Sequence, residues 1–360
     1  MTLKDVIQYR LLNQHIVDTQ CKSPYDVVST LGAVQAQDYL SALWAVGLRL
    51  PEVTEAEIEQ EIADKKILRT WPMRGTLHFV AAEDARWMLK LLTPRIIAKS
   101  AGTYRQGELN DQIFNRSAEL FINALQGGKS LTREGMYKVL NDADISTIGQ
   151  RGMHILGNLA QKGLICLGAR EGKQHTFVLL EEWLPKFNVL EGEEALAELA
   201  QRYFKSHGPA TLNDFVWWTG LKVADAKVAL EMAKHNLRQE VIEEKTYWMD
   251  CNLVENKDLT THTCLLPAFD EFFIAYQDRS PSIEPHYFSS VATKNGIFNP
   301  IIVRGGKVIG TWKRNFIKGK VNIELFPFTP LSQSITKNLS TRANRYSRFV
   351  GKSLLNEKGF

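Results

Sequence analysis

Residues 33–40 read AVQAQDYL: two primary amides, Gln35 and Gln37, stand two apart in an apolar stretch and are followed at once by Asp38. A carboxamide is no strong base at neutral pH. Its carbonyl accepts a hydrogen bond from water and its NH2 donates one, so two amides together can orient a nucleophile. Two carbonyl dipoles aimed at one carbon also favour positive charge developing there. Such weak groups suffice only where the leaving group is already good. On a regular α-helix, residues i and i+2 do not face each other, whereas in an extended or irregular segment they share a side. Cooperation therefore requires the backbone to leave the helix near Ala36. For an isolated QxQ the simpler reading is a pair of solvated side chains on a helix flank, so the context has to decide.

Other chemistries find less support. No HExxH or spaced CxxC occurs, and THTC offers His262 and Cys264 without clear partners, so neither a metal nor a cofactor is expected. RGGK is a turn, not a complete phosphate loop, and Ser or Cys nucleophile motifs are absent. LLPAFDE and YQDR bring Asp270, Glu271, Asp278 and Arg279 close in sequence. Adjacent residues on a strand point to opposite faces, which favours a structural acidic turn paired with Arg279 over acid–base work. RTWPMRGTLHFV reads as one strand with Arg74, Thr76 and His78 on a polar face and Met73, Leu77 and Phe79 on an apolar one. The polar face suits a phosphate or ligand, or else a structural hydrogen-bond network.

The 360 residues correspond to roughly two or three domains. The formal charge is +4, unevenly placed: from Lys294 to Phe360 there are 13 Lys/Arg against two acidic residues. A basic C-terminal portion on a mildly acidic body points to an oriented polyanion-binding surface. Four scattered cysteines make no disulfide framework and suit a reducing cytoplasm. The N-terminal MTLKDVIQYRLLNQ lacks a signal peptide's apolar core, and no run reaches the roughly 18 apolar residues of a membrane span.

Between Asp111 and Leu180 the order is clear: a helix in IFNRSAELFINALQ, a capped helix in TREGMYKVL, a third over 148–162 ending at Gly163, then LICLGAR and HTFVLL joined by EGKQ as a hairpin. Helix, helix, helix, hairpin is the winged-helix order. It recurs over 190–255, and earlier as QYRLLNQHI, PYDVVSTLGAVQ and EAEIEQEIADKK before RTWPMRGTLHFV. EEWLPKFNVLEGEE is a linker. The expectation is an α+β fold of three tandem winged-helix units, 1–110, 111–185 and 190–255, with a small β-rich basic subdomain at 260–360 closed by a helix over 331–350.

Winged helices usually lay their third helix in a groove of duplex DNA and touch the backbone with the wing. Here that helix offers Gln150, Arg151, His154, Asn158 and Gln161, and the wing offers Arg170 and Lys173. In order along the chain, QAQDYLSALWAVGLRL, RTWPMRGTLHFV, GLICLGAREGKQHTFVLL, LLPAFDEFFIAYQDR and NPIIVRGGKVIGTWKR resemble the AlkZ/YcaQ family of winged-helix DNA glycosylases. The resemblance implies a positively charged DNA channel built by tandem winged helices. It also implies a Gln-x-Gln motif that excises N7-alkylated purines, in some members including interstrand crosslinks. Gln35 and Gln37 match that motif; Asp38 falls one place beyond the position of the family's alternative Gln-x-Asp form.

The function implied is that of a monofunctional glycosylase acting by water attack at C1′ on a base whose positive charge already weakens its bond. The expected partner is double-stranded DNA bound by a monomer, with Arg74, His78, Arg151, His154, Lys173, Lys313 and Arg314 as DNA contacts. The alternative is a noncatalytic winged-helix regulator or damage-recognition protein, which would bind DNA without releasing a base.

Overall fold

The computed structural model describes residues 1–184, 188–253 and 258–355. Helix and sheet are mixed, and the chain condenses into two compact units that are not consecutive in sequence. Residues 59–196 form one, and residues 1–58 with 197–360 form the other. The sequential partition expected above follows local patterning. Compactness follows which apolar faces bury one another, and the N-terminal helices share a unit with the C-terminal strands. Part of the expected linker, residues 185–187, lies outside the described residues.

In the 59–196 unit, the segment read as one strand is a hairpin, Ile67–Met73 with Thr76–Ala81. Arg74 (φ 54°) and Gly75 (φ 74°) form its two-residue turn, both at the positive φ that a tight hairpin turn of this length requires. Alternation over 74–78 therefore does not run through a single strand. Helices Asp111–Leu125, Arg133–Asn141 and Arg151–Gln161 follow, capped by Asn110 and Thr132 for the first two, and then strands Ile165–Leu167 and Thr176–Leu179 pair antiparallel. Phe114, Phe121, Met136, Leu140, Ile155 and Leu159 fill the core between them. Leu167 pairs with Arg69, which joins the second hairpin to the first.

The other unit opens with helices Leu3–Asn13, Pro24–Leu31 and Tyr39–Gly47. The last of these was not anticipated by the three-helix reading of the N-terminus. Helices Gly192–His207, Leu212–Thr219 and Val223–Ala233 precede the hairpin Leu237–Ile242/Lys245–Asp250, in the expected order. A four-stranded antiparallel sheet then runs Lys320–Pro327, Lys307–Ile317, Ile301–Arg304, Thr263–Leu266. Its turns fall at Gly305–Gly306 and Lys318–Gly319, all four residues at positive φ. Helix Gln333–Phe349 closes the unit. Trp44 sits edge-on to Tyr346 at 5.0 Å, and its Nε1–H donates to the Leu265 carbonyl at 2.8 Å. These contacts fasten the helix that follows the glutamine pair to the C-terminal sheet. Gly47 permits the approach, since a Cβ there would lie 2.3 Å from the Phe349 ring. Arg345 donates to the carbonyls of Gly47, Leu48 and Leu50 and so caps that helix's C-terminus, which removes one cation from the expected basic face.

The interior of this unit is charged. Arg49 and Asp270, both with fully enclosed side chains, meet at 2.9 and 3.0 Å in a two-pronged pair. The remaining Arg49 N–H groups go to the Gln14 carbonyl (2.8 Å), the Gln14 amide oxygen (3.1 Å) and the Ala45 carbonyl (2.6 Å). All five guanidinium donors are thereby satisfied. Asp270 was expected to pair with Arg279; instead Arg279 donates to the Phe273 carbonyl and lies over Trp217, and Asp278 binds Lys245 at 2.6 Å. Sequence proximity suggested the nearer arginine, but burial demands the partner with matching geometry. Asp270→Ala leaves Arg49 buried without its counter-charge and should cost about 3–5 kcal/mol in urea unfolding, whereas Arg49→Met combined with Asp270→Leu should cost clearly less.

Candidate functional site

The glutamine pair occupies the gap between two well-punctuated helices. Pro24–Leu31 starts with a Ser23/Asp26 capping box and stops at Gly32, whose φ of 76° suits a residue without a Cβ. Tyr39–Gly47 starts at Asp38, whose carboxylate accepts the Ser41 N–H at 3.1 Å. Val34 and Gln35 between them are extended, and Gln37 lies in a bend. The backbone leaves the helix four residues before Ala36, so neither glutamine is helical. Gln35 is 9% exposed, Ala36 is buried and Gln37 is exposed.

Beneath this segment lies the second half of the acidic turn. Glu271, fully buried, accepts the backbone N–H of Gln35 on Oε1 at 2.8 Å and the Trp218 Nε1–H on Oε2 at 3.0 Å. His207 Nε2 stands 3.8 Å from the same Oε2. The imidazole is stacked on Tyr203 at 4.9 Å and its Nδ1 lies 2.8 Å from the Ser206 hydroxyl. Burial holds the His207 pKa below its ordinary value, while Glu271 pulls it the other way. Phe269, at φ 59°, turns the chain just ahead of Asp270, and both carboxylates that follow are buried. Adjacency on a strand would have sent them to opposite faces; the chain here is a turn entering the helix Glu271–Ile274.

Asp38, for which the sequence suggested no role, caps a helix and stands 3.9 Å from Arg314 Nη2. Arg314 lies over the Tyr346 ring, at 5.7 Å, and burial pushes the Tyr346 phenol up to about 12. Thus strand Lys307–Ile317 delivers a cation next to the residue that follows Gln37. Lys313, its neighbour, is exposed and pairs across the hairpin with Glu324. At the hairpin's end Phe316 and Ile317 are 48% and 41% exposed, beside Lys318 and Lys320.

The remaining expected contacts lie in the 59–196 unit. Arg74 Nη2 is 3.3 Å from His78 Nε2, and His78 Nδ1 is 2.9 Å from the Thr76 carbonyl. His78 is completely buried, so it braces the Arg74 turn in a structural network and presents no surface of its own. Arg151 donates to the Gly107 carbonyl, and His154 packs against Tyr104. Asn158 and Gln161, read as groove-facing, are buried because they fall on the helix's apolar stripe; Arg170 binds Glu59 at 2.6 Å. Lys173 is exposed in the turn of the wing. The sequence reading passed over Arg69 and His175, 2.9 Å apart, which line a concavity of about 360 Å³ with Trp71, Arg133, Lys173 and Phe177. Burial, then Arg69 and Arg170, lower the His175 pKa to about 4, so it is neutral at pH 7 and adds no charge to Arg69, Arg133 and Lys173 in the concavity. Among the described residues no group of His, Cys, Asp or Glu is arranged to hold a metal ion, and no helix is long and apolar enough to cross a membrane.

Known proteins resemble this chain over nearly its full length. The chain is 26% identical over 329 residues to an interstrand DNA cross-link repair glycosylase of Streptomyces sahachiroi, covering 86% of this chain and 87% of the relative. Its fold matches the solved structure of Streptomyces sahachiroi DNA glycosylase AlkZ with a TM-score of 0.83 at 23% identity, over 99% of this chain and 98% of the other. Residues 28–349 match the family model described as DNA glycosylase AlkZ-like, a span that begins just ahead of the glutamine pair and ends in the closing helix. The chain therefore belongs to the AlkZ-like DNA glycosylase family.

Proposed function

We propose that this DNA glycosylase releases cationic N7-alkylated purines from duplex DNA by hydrolysis, and that Gln35 and Gln37 place the attacking water and the sugar. The observation that carries this reading is the non-helical Gln-x-Gln segment, held between two capped helices and flanked by Arg314, in a chain of this family. Neither amide can protonate a leaving base. None needs to, because an N7-alkylpurine already bears the positive charge that weakens its glycosidic bond. What remains is to orient water with an amide carbonyl and to favour the oxocarbenium-like charge at C1′ with carbonyl dipoles. The enzyme is monofunctional in this reading, since water and not an amine is the nucleophile. Bases linked across the two strands through N7 fall within the same chemistry, in keeping with the cross-link repair name of the Streptomyces relative.

Three winged-helix units would form the DNA-binding frame, a reading supported by the recurring order of helices followed by a hairpin. Contacts to phosphate come from Lys173, Arg74 and Lys313. Arg314 holds Asp38 beside the motif, and Arg151 and His154 support the helix they belong to more than they face outward. The exposed Phe316 and Ile317 among lysines suit an apolar wedge entering a groove. A single copy of the chain on double-stranded DNA, in a reducing cytoplasm, accounts for every contact in this proposal.

Incubation with a duplex containing 7-methylguanine should yield free base and abasic sites. Gln35→Ala with Gln37→Ala should reduce the single-turnover rate by about 100-fold or more. Equal release by that double variant would remove the role given to the pair. Because neither amide titrates, the rate at saturating protein should stay flat between about pH 6 and 8, and undamaged guanine should be released too slowly to detect. Lys313→Ala should weaken duplex binding and lower the slope of log affinity against log salt by about 1, measured by fluorescence anisotropy at several salt concentrations.

A further inference from the structure

We infer that Glu271 is a positioning residue for Gln35: its buried carboxylate fixes the backbone of the Gln-x-Gln segment and thereby the place that the Gln35 amide can reach. This rests on the catalytic reading of the pair. A fully buried carboxylate is costly unless donors surround it, and here one of those donors is the N–H of the motif itself, from a residue 236 positions earlier in the chain. Its second oxygen is held by Trp218, also fully buried. The Trp218 ring lies 3.5 Å from where a Cβ on Gly32 would stand, at the point where the preceding helix stops. Asp270, the neighbouring residue, binds Arg49, whose Nη1 reaches the Ala45 carbonyl in the helix after the motif. Two successive carboxylates therefore tie the motif and the far end of the helix that follows it to one short turn.

Amides that act by orientation alone depend on this restraint, because a displacement of about 1 Å can cost 100-fold in rate. The chemistry of the contact also distinguishes charge from mere packing. Gln35 N–H and Trp218 Nε1–H are both donors, each to its own carboxylate oxygen. A glutamine at 271 offers one acceptor oxygen and one NH2, so one of the two donors must face another donor. An aspartate keeps both acceptors and loses only reach.

The test uses the full chain, a duplex with one 7-methylguanine, single-turnover base release, duplex binding, thermal unfolding, and amide hydrogen exchange across the peptide containing Gln35. Glu271→Gln should release base at least about 10-fold more slowly, bind duplex within about 2-fold of the parent, and exchange the Gln35 amide faster. Glu271→Asp should recover part of the rate. A folded Glu271→Gln with the parent's rate would overturn the inference, as would a slower one whose Gln35 amide stays as protected as before. Should Glu271→Gln fail to fold, Trp218→Phe decides: it should show a smaller loss of rate with faster exchange at Gln35, and parental behaviour in both would overturn the assignment. If the parent itself releases no base, the glycosylase reading of the pair fails, and exchange at Gln35 alone decides whether Glu271 positions it.

Discussion

A guanidinium enclosed on all sides, with an acceptor for each of its five N–H groups, leaves the chain around it few arrangements. Arg49 imposes that constraint on residues 1–58 and 197–360. Its acceptors come from Gln14 in the segment after the first helix, from Ala45 in the third helix and from Asp270 far along the chain. Slipping Asp270 by a residue would leave a buried charge unpaired, at a cost of several kcal/mol, and slipping Gln14 would orphan buried N–H groups. A buried ion pair adds little stability over an apolar pair of equal volume. It does, however, tolerate few alternatives. Arg10, stacked 3.6 Å from the Tyr276 ring and 3.8 Å from Asp214, extends the same constraint, and Tyr276 closes it by bridging Gln14 and the His207 carbonyl.

Much of the local architecture was legible in the residues. Gly163 and the paired glycines at 305–306 marked a helix end and a turn where the structure has them, because positive φ is a one-residue requirement readable without knowledge of the fold. Arg74–Gly75 was missed as a turn, since an arginine at positive φ carries no such signal. The site was half legible. QxQ stood out as a pattern, but what holds it did not: Glu271 lies 236 residues from its backbone donor, and nothing in LLPAFDE says which acid turns toward which partner. A pair of adjacent acids in an apolar run does announce a need for buried donors. It does not announce where they are.

The uneven charge also reads differently with the fold in view. Arg345 caps a helix from inside and Arg314 leans toward Asp38, so part of the C-terminal positive charge is structural. Of the exposed cations, Lys313, Lys318 and Lys320 lie on one hairpin and Lys337 and Arg348 on one helix. Net charge set the sign of the partner; burial selects which cations remain to meet it.

On the role proposed for Gln35 and Gln37, the motif and the buried charge beneath it are linked by the weakness of amides as catalysts. A general acid in the motif could protonate a neutral leaving base. Amides offer no such driving force, so selectivity for an already cationic base comes with a demand for exact placement of neutral dipoles. That demand explains why charge is found one layer below the motif. The carboxylate of Glu271 meets the Gln35 backbone through a single hydrogen bond, and the full charge is kept where it can hold a peptide in place without protonating anything.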